Sequence, residues 1–228
     1  SIKKFSSGFR DVVIVTDSGH IIPPDLIDIL PVKVFYVDLP IEQPENVEHG
    51  LGYLWQQYIK LTWYEYTDAD EVLILDSDEM LTVPTTPESF KVDGKYCWYY
   101  KLWNQMGNGQ CWKKSTDELF DIDTTYSGMC ITGFIMLKST SIALKNHLCK
   151  KHDTLNIWDI FVKYNMKTAS EFNIFGAFIM IFDRQEYQQK ILDNKSGRVA
   201  FNCTILKDWS WGGLTEENII RRNKILEG

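Results

Sequence analysis

Asp76 and Asp78 combine useful chemistry with a useful position in residues 71–81, EVLILDSDEML. Two carboxylates one residue apart can hold a hard divalent cation through oxygen. They follow the apolar run Val72-Leu73-Ile74-Leu75, which suits a strand covered on both faces. In open α/β sheets, ligands gather at the carboxyl ends of the strands. The spacing itself is unspecific, because Asp68/Asp70 and Asp121/Asp123 repeat it ahead of the strand and in a polar connection. An Asp at a strand end also serves as a turn former, and that reading stays open.

Upstream, residues 51–66 (LGYLWQQYIKLTWYEY) carry Leu51, Leu54, Trp55, Tyr58 and Leu61 at helical spacing. Gln57 and Lys60 lie three apart and so share a face of that helix. A right-handed crossover lays the helix across the sheet. The two side chains could then meet phosphates or a base at the strand edge, or form a solvated face.

The elements needed to position these groups are legible along the chain. Residues 12–16 (VVIVT) and 32–37 (VKVFYV) read as buried strands, with a short helix at 26–30 between them. Such alternation indicates an α/β fold with a central, mostly parallel (mixed) sheet flanked by helices. Beyond the turn at 84–87 (PTTP), residues 96–103 (YCWYYKLW) form an aromatic-rich strand. Residues 129–137 (MCITGFIML) form another, interrupted at Thr132-Gly133, where a strand glycine marks a bulge or close approach to a ligand. Helices are expected at 139–151, 158–164, 171–183 and 215–226, and a weak strand at 198–202. The helix at 171–183 (EFNIFGAFIMIFD) is apolar nearly all round and therefore buried. No Pro/Gly/Ser linker divides the chain. It reads as one domain over 1–228, with a nucleotide-side half at about 9–84 and an acceptor-side half at about 85–228.

A formal charge of -7 on 228 residues argues against nucleic acid as a partner. It also requires a cation between the protein and any phosphate-bearing ligand. The five cysteines, Cys97, Cys111, Cys130, Cys149 and Cys203, show no metal-ligand spacing. They are expected as reduced thiols in a cytoplasmic compartment. No apolar run has transmembrane length.

Taken together, QQYIKL, VLILDSD and VPTTP resemble the GT-A type of nucleotide-sugar glycosyltransferase. More narrowly they resemble the small enzymes that chlorella viruses encode for capsid glycans, and their bacterial relatives. The likeness covers residues 12–87 and returns at MCITGFIM and SEFNIFG (170–176). It implies a UDP-sugar donor carrying a hexose or deoxyhexose and a glycan acceptor on a viral capsid glycoprotein in the host cytoplasm. It also implies Mn²⁺ or Mg²⁺ held by Asp76 and Asp78, with Ser77 near the ribose. Thr16, Asp17 and Ser18 would receive the base, and Gln57 and Lys60 the nucleotide.

The chain departs from these relatives in two places. They carry a βα unit ahead of the VVIVT-like strand, where this chain has residues 1–9. Some carry His where this chain reads Thr132-Gly133-Phe134, so a third metal ligand must come from elsewhere, and Asp208 is the candidate. Asp208 is equally a solvent-facing loop acid. Glu171 is the candidate acceptor-side base, although Thr168-x-x-Glu171 also fits a capping box. Trp103, Trp209 and Trp211 could stack on a sugar, and His152 beside Asp153 is a further titratable pair; each also reads as core or surface. Two other classes compete. VLILDSD could open a haloacid-dehalogenase-like phosphohydrolase with Asp76 as nucleophile, or the aromatics could serve a non-catalytic carbohydrate-binding module.

Overall fold

Five consecutive buried side chains, Tyr96 to Tyr100, mark the strand on which the core is built. A computed structural model of the chain describes residues 1–24, 32–48, 50–129, 133–192, 205–207 and 215–227. A short helix α1 (Ile2–Phe5) leads to strands β1 (Val12–Thr16) and β2 (Val32–Tyr36), then to helix α2 (Leu51–Leu61). Strands β3 (Glu71–Ile74), β4 (Glu79–Leu81), β5 (Lys91–Val92) and β6 (Lys95–Leu102) follow. Helix α3 (Cys111–Phe120) precedes β7 (Tyr126–Ser127) and β8 (Phe134–Leu137). Helices α4 (Lys138–His152), α5 (Ile157–Lys163) and α6 (Glu171–Ile181) come next, then β9 (Tyr187–Ile191), β10 (Ile205–Lys207) and α7 (Glu216–Glu227).

The result is a mixed α/β architecture. β6 pairs parallel with β9 and antiparallel with β5 and β7, while β1 and β2 form a parallel pair. β3 pairs antiparallel with β8, Glu71 opposite Leu137 and Ile74 opposite Phe134, and β4 pairs antiparallel with β10. The strand bearing the D-x-D pair is thus in a two-stranded antiparallel ladder among the described residues, and its four residues are half-buried. An apolar run reads alike in this setting and in the middle of a parallel sheet, so its spacing did not identify the partner.

Helix α6 is the buried element against β6. Glu171 through Ile179 are all buried, as the apolar sequence requires. Close approach is set by Gly176 and Gly128, where a Cβ on Gly176 would sit 2.5 Å from Trp98 Nε1 and 3.1 Å from Gly128 Cα. The Trp98 ring stacks on Phe134 at 4.0 Å, and Tyr100 Oη donates to the Gly176 carbonyl at 2.8 Å. Helix α2 packs on α6 and buries Leu54, Gln57, Lys60 and Leu61.

Helix α3 and strand β9 were not expected from the sequence. Cys97, Cys111 and Cys149 are free thiols. No helix of the described residues is long and apolar enough to cross a membrane. The helix expected at 26–30, the strand at 198–202, and Thr132, Asp208, Trp209 and Trp211 lie outside the described residues.

Candidate functional site

Lys60 joins the two carboxylates that the sequence placed in separate roles. Its Nζ donates to Glu171 Oε1 at 2.7 Å and to Asp76 Oδ1, across 111 and 16 residues of chain. The lysine is 9% exposed and Glu171 2%. Three elements build this meeting. The inner face of α2 carries Tyr53, Gln57 and Lys60 at i, i+4 and i+7, stacked one turn above another. β3 ends two residues before Asp76, and Glu171 is the first residue of α6.

Gln57 completes the cluster by accepting from the Glu171 backbone N–H at 3.2 Å. Tyr53 Oη donates to the Ala169 carbonyl at 2.8 Å, bracing the approach to α6. The expectation that Gln57 and Lys60 share a face holds, but that face is buried against Glu171 instead of being solvated. Tyr53 was missed, although its helical spacing to Gln57 and Lys60 was a usable signal.

Burial pushes the Glu171 carboxyl above its usual value, and the neighbouring ammonium only partly offsets this. Burial also opposes the charge on Lys60, yet Glu171 and Asp76 outweigh it and raise the ammonium pKa. One cation therefore faces two carboxyl groups, and the more deeply buried acid gains proton affinity. A carboxylate with raised proton affinity is a stronger base than a free one.

The Thr168-x-x-Glu171 capping box does not form. Ser170 is the N-cap, with its Oγ accepting from Asn173 N at 3.3 Å, while Thr168 Oγ1 donates to the Cys111 carbonyl. Glu171 sits one position after the cap, where its side chain can turn to Lys60.

Residues Asp76 to Glu79 form the tight turn from β3 to β4. Glu79 Oε2 accepts from Asp76 N at 2.9 Å, and Glu79 N donates back to the Asp76 carbonyl at 3.0 Å. The backbone of Asp76 serves the turn while its carboxylate serves Lys60. Ser77 is exposed and Asp78 half-buried; Arg222 Nη2 of α7 donates to the Asp78 carbonyl at 2.5 Å. Sequence gave no sign of Arg222, because only tertiary placement brings α7 to this turn.

Thr16, Asp17 and Ser18 lie at the end of the β1–β2 pair, with Thr16 opposite Tyr36. Asp17 accepts from Gly19 N at 2.9 Å and meets His20 Nδ1 at 2.7 Å, and Ser18 Oγ donates to Asp38. Gly133 has φ +80° and approaches Ile205, which a Cβ would meet at 1.9 Å, so its close approach is to protein. His152 is a core residue, with Nε2 2.8 Å from the Leu119 carbonyl and Nδ1 3.0 Å from Tyr164 Oη. Trp103 is buried and donates to Thr124 Oγ1.

A divalent ion needs few protein ligands when phosphates complete its shell, and Mg²⁺ commonly takes one or two carboxylates. The oxygen donors of Asp76 and Asp78 fit that pattern. Among the described residues no group of three His, Cys, Asp or Glu converges to hold a metal alone. No protein-family model, curated protein or solved structure matches the chain.

Proposed function

We propose that the chain is a metal-dependent glycosyltransferase that moves a hexose or deoxyhexose from a UDP-sugar to a glycan hydroxyl. The observation carrying this reading is the Lys60 bridge. It draws the D-x-D carboxylate Asp76 and the acceptor-side carboxylate Glu171 into one cluster at the end of β3.

In this mechanism Asp76 and Asp78 would hold Mn²⁺ or Mg²⁺, which would supply a Lewis acid for the charge of the leaving diphosphate. Where the transfer inverts, Glu171 accepts the proton of the acceptor hydroxyl. The freed oxygen bonds to the anomeric carbon as the bond from that carbon to the diphosphate oxygen breaks. Lys60 orients both carboxyl groups, and Gln57 fixes the start of α6, so these two act by positioning. Ser77 faces the ribose, Thr16, Asp17 and Ser18 face the base, and Asp208 is the candidate third ligand.

Calorimetry with Mn²⁺ and UDP tests the reading. UDP binding is expected to need the metal and to be lost in Asp78→Ala. A phosphohydrolase would instead trap a phosphate mimic at Asp76 and ignore UDP. A sugar-binding module would take free glycan without metal. Turnover with a panel of nucleotide sugars, followed by product NMR, then identifies donor, acceptor and stereochemistry.

A further inference from the structure

The end of α6 farthest from Glu171 opens on a second polar site. A cleft of about 460 Å³ lies between the β5–β6 turn and the connection from α6 to β9, lined by Asp93, Lys95, Asp183, Gln185, Gln188 and Gln189. Both walls are tight turns. Asp93 and Gly94 have φ of 52° and 77°, the left-handed pair of a two-residue hairpin that sets Val92 opposite Lys95. Asp183 has φ 43° just past α6, where Arg184 N closes the helix on the Ile179 carbonyl at 3.1 Å. Between the walls, β9 runs parallel to β6, with Gln188 opposite Cys97 and Gln189 opposite Trp98.

We infer that this cleft binds a saccharide, at a site separate from the Lys60–Glu171 cluster. The 11 residues of α6 put about 15 Å between the two, at 1.5 Å per residue. Two carboxylates in the lining oppose an anionic ligand, and the Lys95 ammonium opposes a metal ion. Val92 and the buried Tyr187 supply the hydrocarbon of the cleft, too little for an apolar ligand. A sugar hydroxyl both donates and accepts, so neighbouring hydroxyls can use carboxylate, carboxamide and ammonium together. Gln188 points to such an occupant, because its Oε1 is buried without a hydrogen-bond partner, a rare state for a buried polar atom. Gln189 Nε2 reaches the Ile179 carbonyl and Asp183 Oδ1 at 3.5 Å each, bonds long enough for a ligand hydroxyl to displace. The site does not depend on the transferase reading; in a transferase it holds the glycan away from the reacting sugar.

Methyl glycosides of glucose, galactose, mannose, N-acetylglucosamine, fucose and rhamnose, titrated without metal into isotope-labelled protein and followed by amide NMR, provide the test. At least one is expected to shift the amides of 93–95 and 183–189 and to leave those of 57–60, 76–79 and 171–173 in place. Gln188→Leu keeps the size but not the amide, and should weaken that glycoside roughly 3- to 10-fold, the effect of one hydrogen bond. Asp183→Asn keeps a residue that tolerates left-handed backbone and should weaken it likewise. Both variants should retain metal-dependent UDP binding; that binding, not glycan binding, tells a transferase from a sugar-binding module. If no glycoside moves the cleft amides, if calcium chloride alone moves them, or if both variants bind like wild type, the saccharide site is overturned and the transferase reading stands. Wild type that binds no UDP in the presence of Mn²⁺ but shifts the cleft amides with a glycoside overturns the transferase reading and supports this site.

Discussion

The Lys60 ammonium and the Glu171 carboxyl meet at 2.7 Å inside the protein, one from the last turn of α2 and the other from the first turn of α6. Neither element could seat its charged side chain alone, since burying an isolated ion is costly. The contact therefore orders two helices and defines an acid whose proton affinity depends on a neighbour far away in sequence.

Lys60→Met tests what that contact contributes. The substitution keeps a stem of similar length but removes the ammonium, which lies 5.4 Å from the Phe172 ring centroid, so Asp76 and Glu171 lose the cation they share. Breaking one side of a buried ion pair costs about 3–5 kcal/mol. Urea denaturation should show a loss of that order, and the double variant Lys60→Met/Glu171→Leu should recover part of it. A change below about 1 kcal/mol, the range of an exposed pair, would mean that water reaches the cluster.

Glu171→Gln separates chemistry from binding. The amide preserves size and cannot take a proton, so transfer should vanish while UDP affinity stays at the wild-type level. Unchanged turnover would reduce Glu171 to a partner for Lys60. A pH series gives a second readout. Because the folded carboxyl holds its proton more tightly than the unfolded one, its contribution to stability is complete below the unfolded value of 4.5 and declines as pH rises through the raised folded value. The difference in unfolding free energy between wild type and Glu171→Gln should therefore shift against wild type above that pH. A flat difference would show an unperturbed carboxyl.

Local spacing carried the sequence reading as far as the elements. The shared face of Gln57 and Lys60 followed from a three-residue interval, and the strand before Asp76 from four apolar residues. Partners were a different matter. Nothing local says that Lys60 will meet Glu171, since the bond depends on α2 and α6 packing together. The capping motif at Thr168 was locally sound, yet the neighbouring Ser170 caps the helix and Thr168 turns to Cys111. Strand β9, YQQKI, lacks an apolar run because β6 supplies the buried surface beside it. Helix α3 hides two hydroxyl residues, Ser115 and Thr116, beside Leu119 and Phe120, which blurs its hydrophobic period.

Gly176→Ala probes how tightly α6 seats on β6. The added methyl would fall 2.5 Å from Trp98 Nε1, which itself donates to the Gly128 carbonyl at 3.2 Å. Trp98 is fully buried between Phe134 and Phe175, so it has little room to retreat. Overpacking of this kind costs about 1–3 kcal/mol. Urea midpoints should fall accordingly, with a changed near-ultraviolet signal from the displaced indole. A wild-type midpoint would show that the helix shifts freely, and with it the position of Glu171.

The two carboxylates of the D-x-D turn should fail differently. Asp76→Asn removes a charge that pairs with buried Lys60, so it should lower stability by about 1–3 kcal/mol as well as weaken Mn²⁺ binding. Asp78→Asn leaves both carboxyl partners of Lys60 in place and keeps the backbone carbonyl that Arg222 uses. It should weaken Mn²⁺ binding with a smaller loss of stability. Paired urea denaturation and Mn²⁺ calorimetry on the two variants measure the asymmetry. Equal stability losses would mean that Lys60 does not distinguish the two aspartates. Mn²⁺ affinity unchanged in both would remove the cation, and with it the chemistry proposed for this turn.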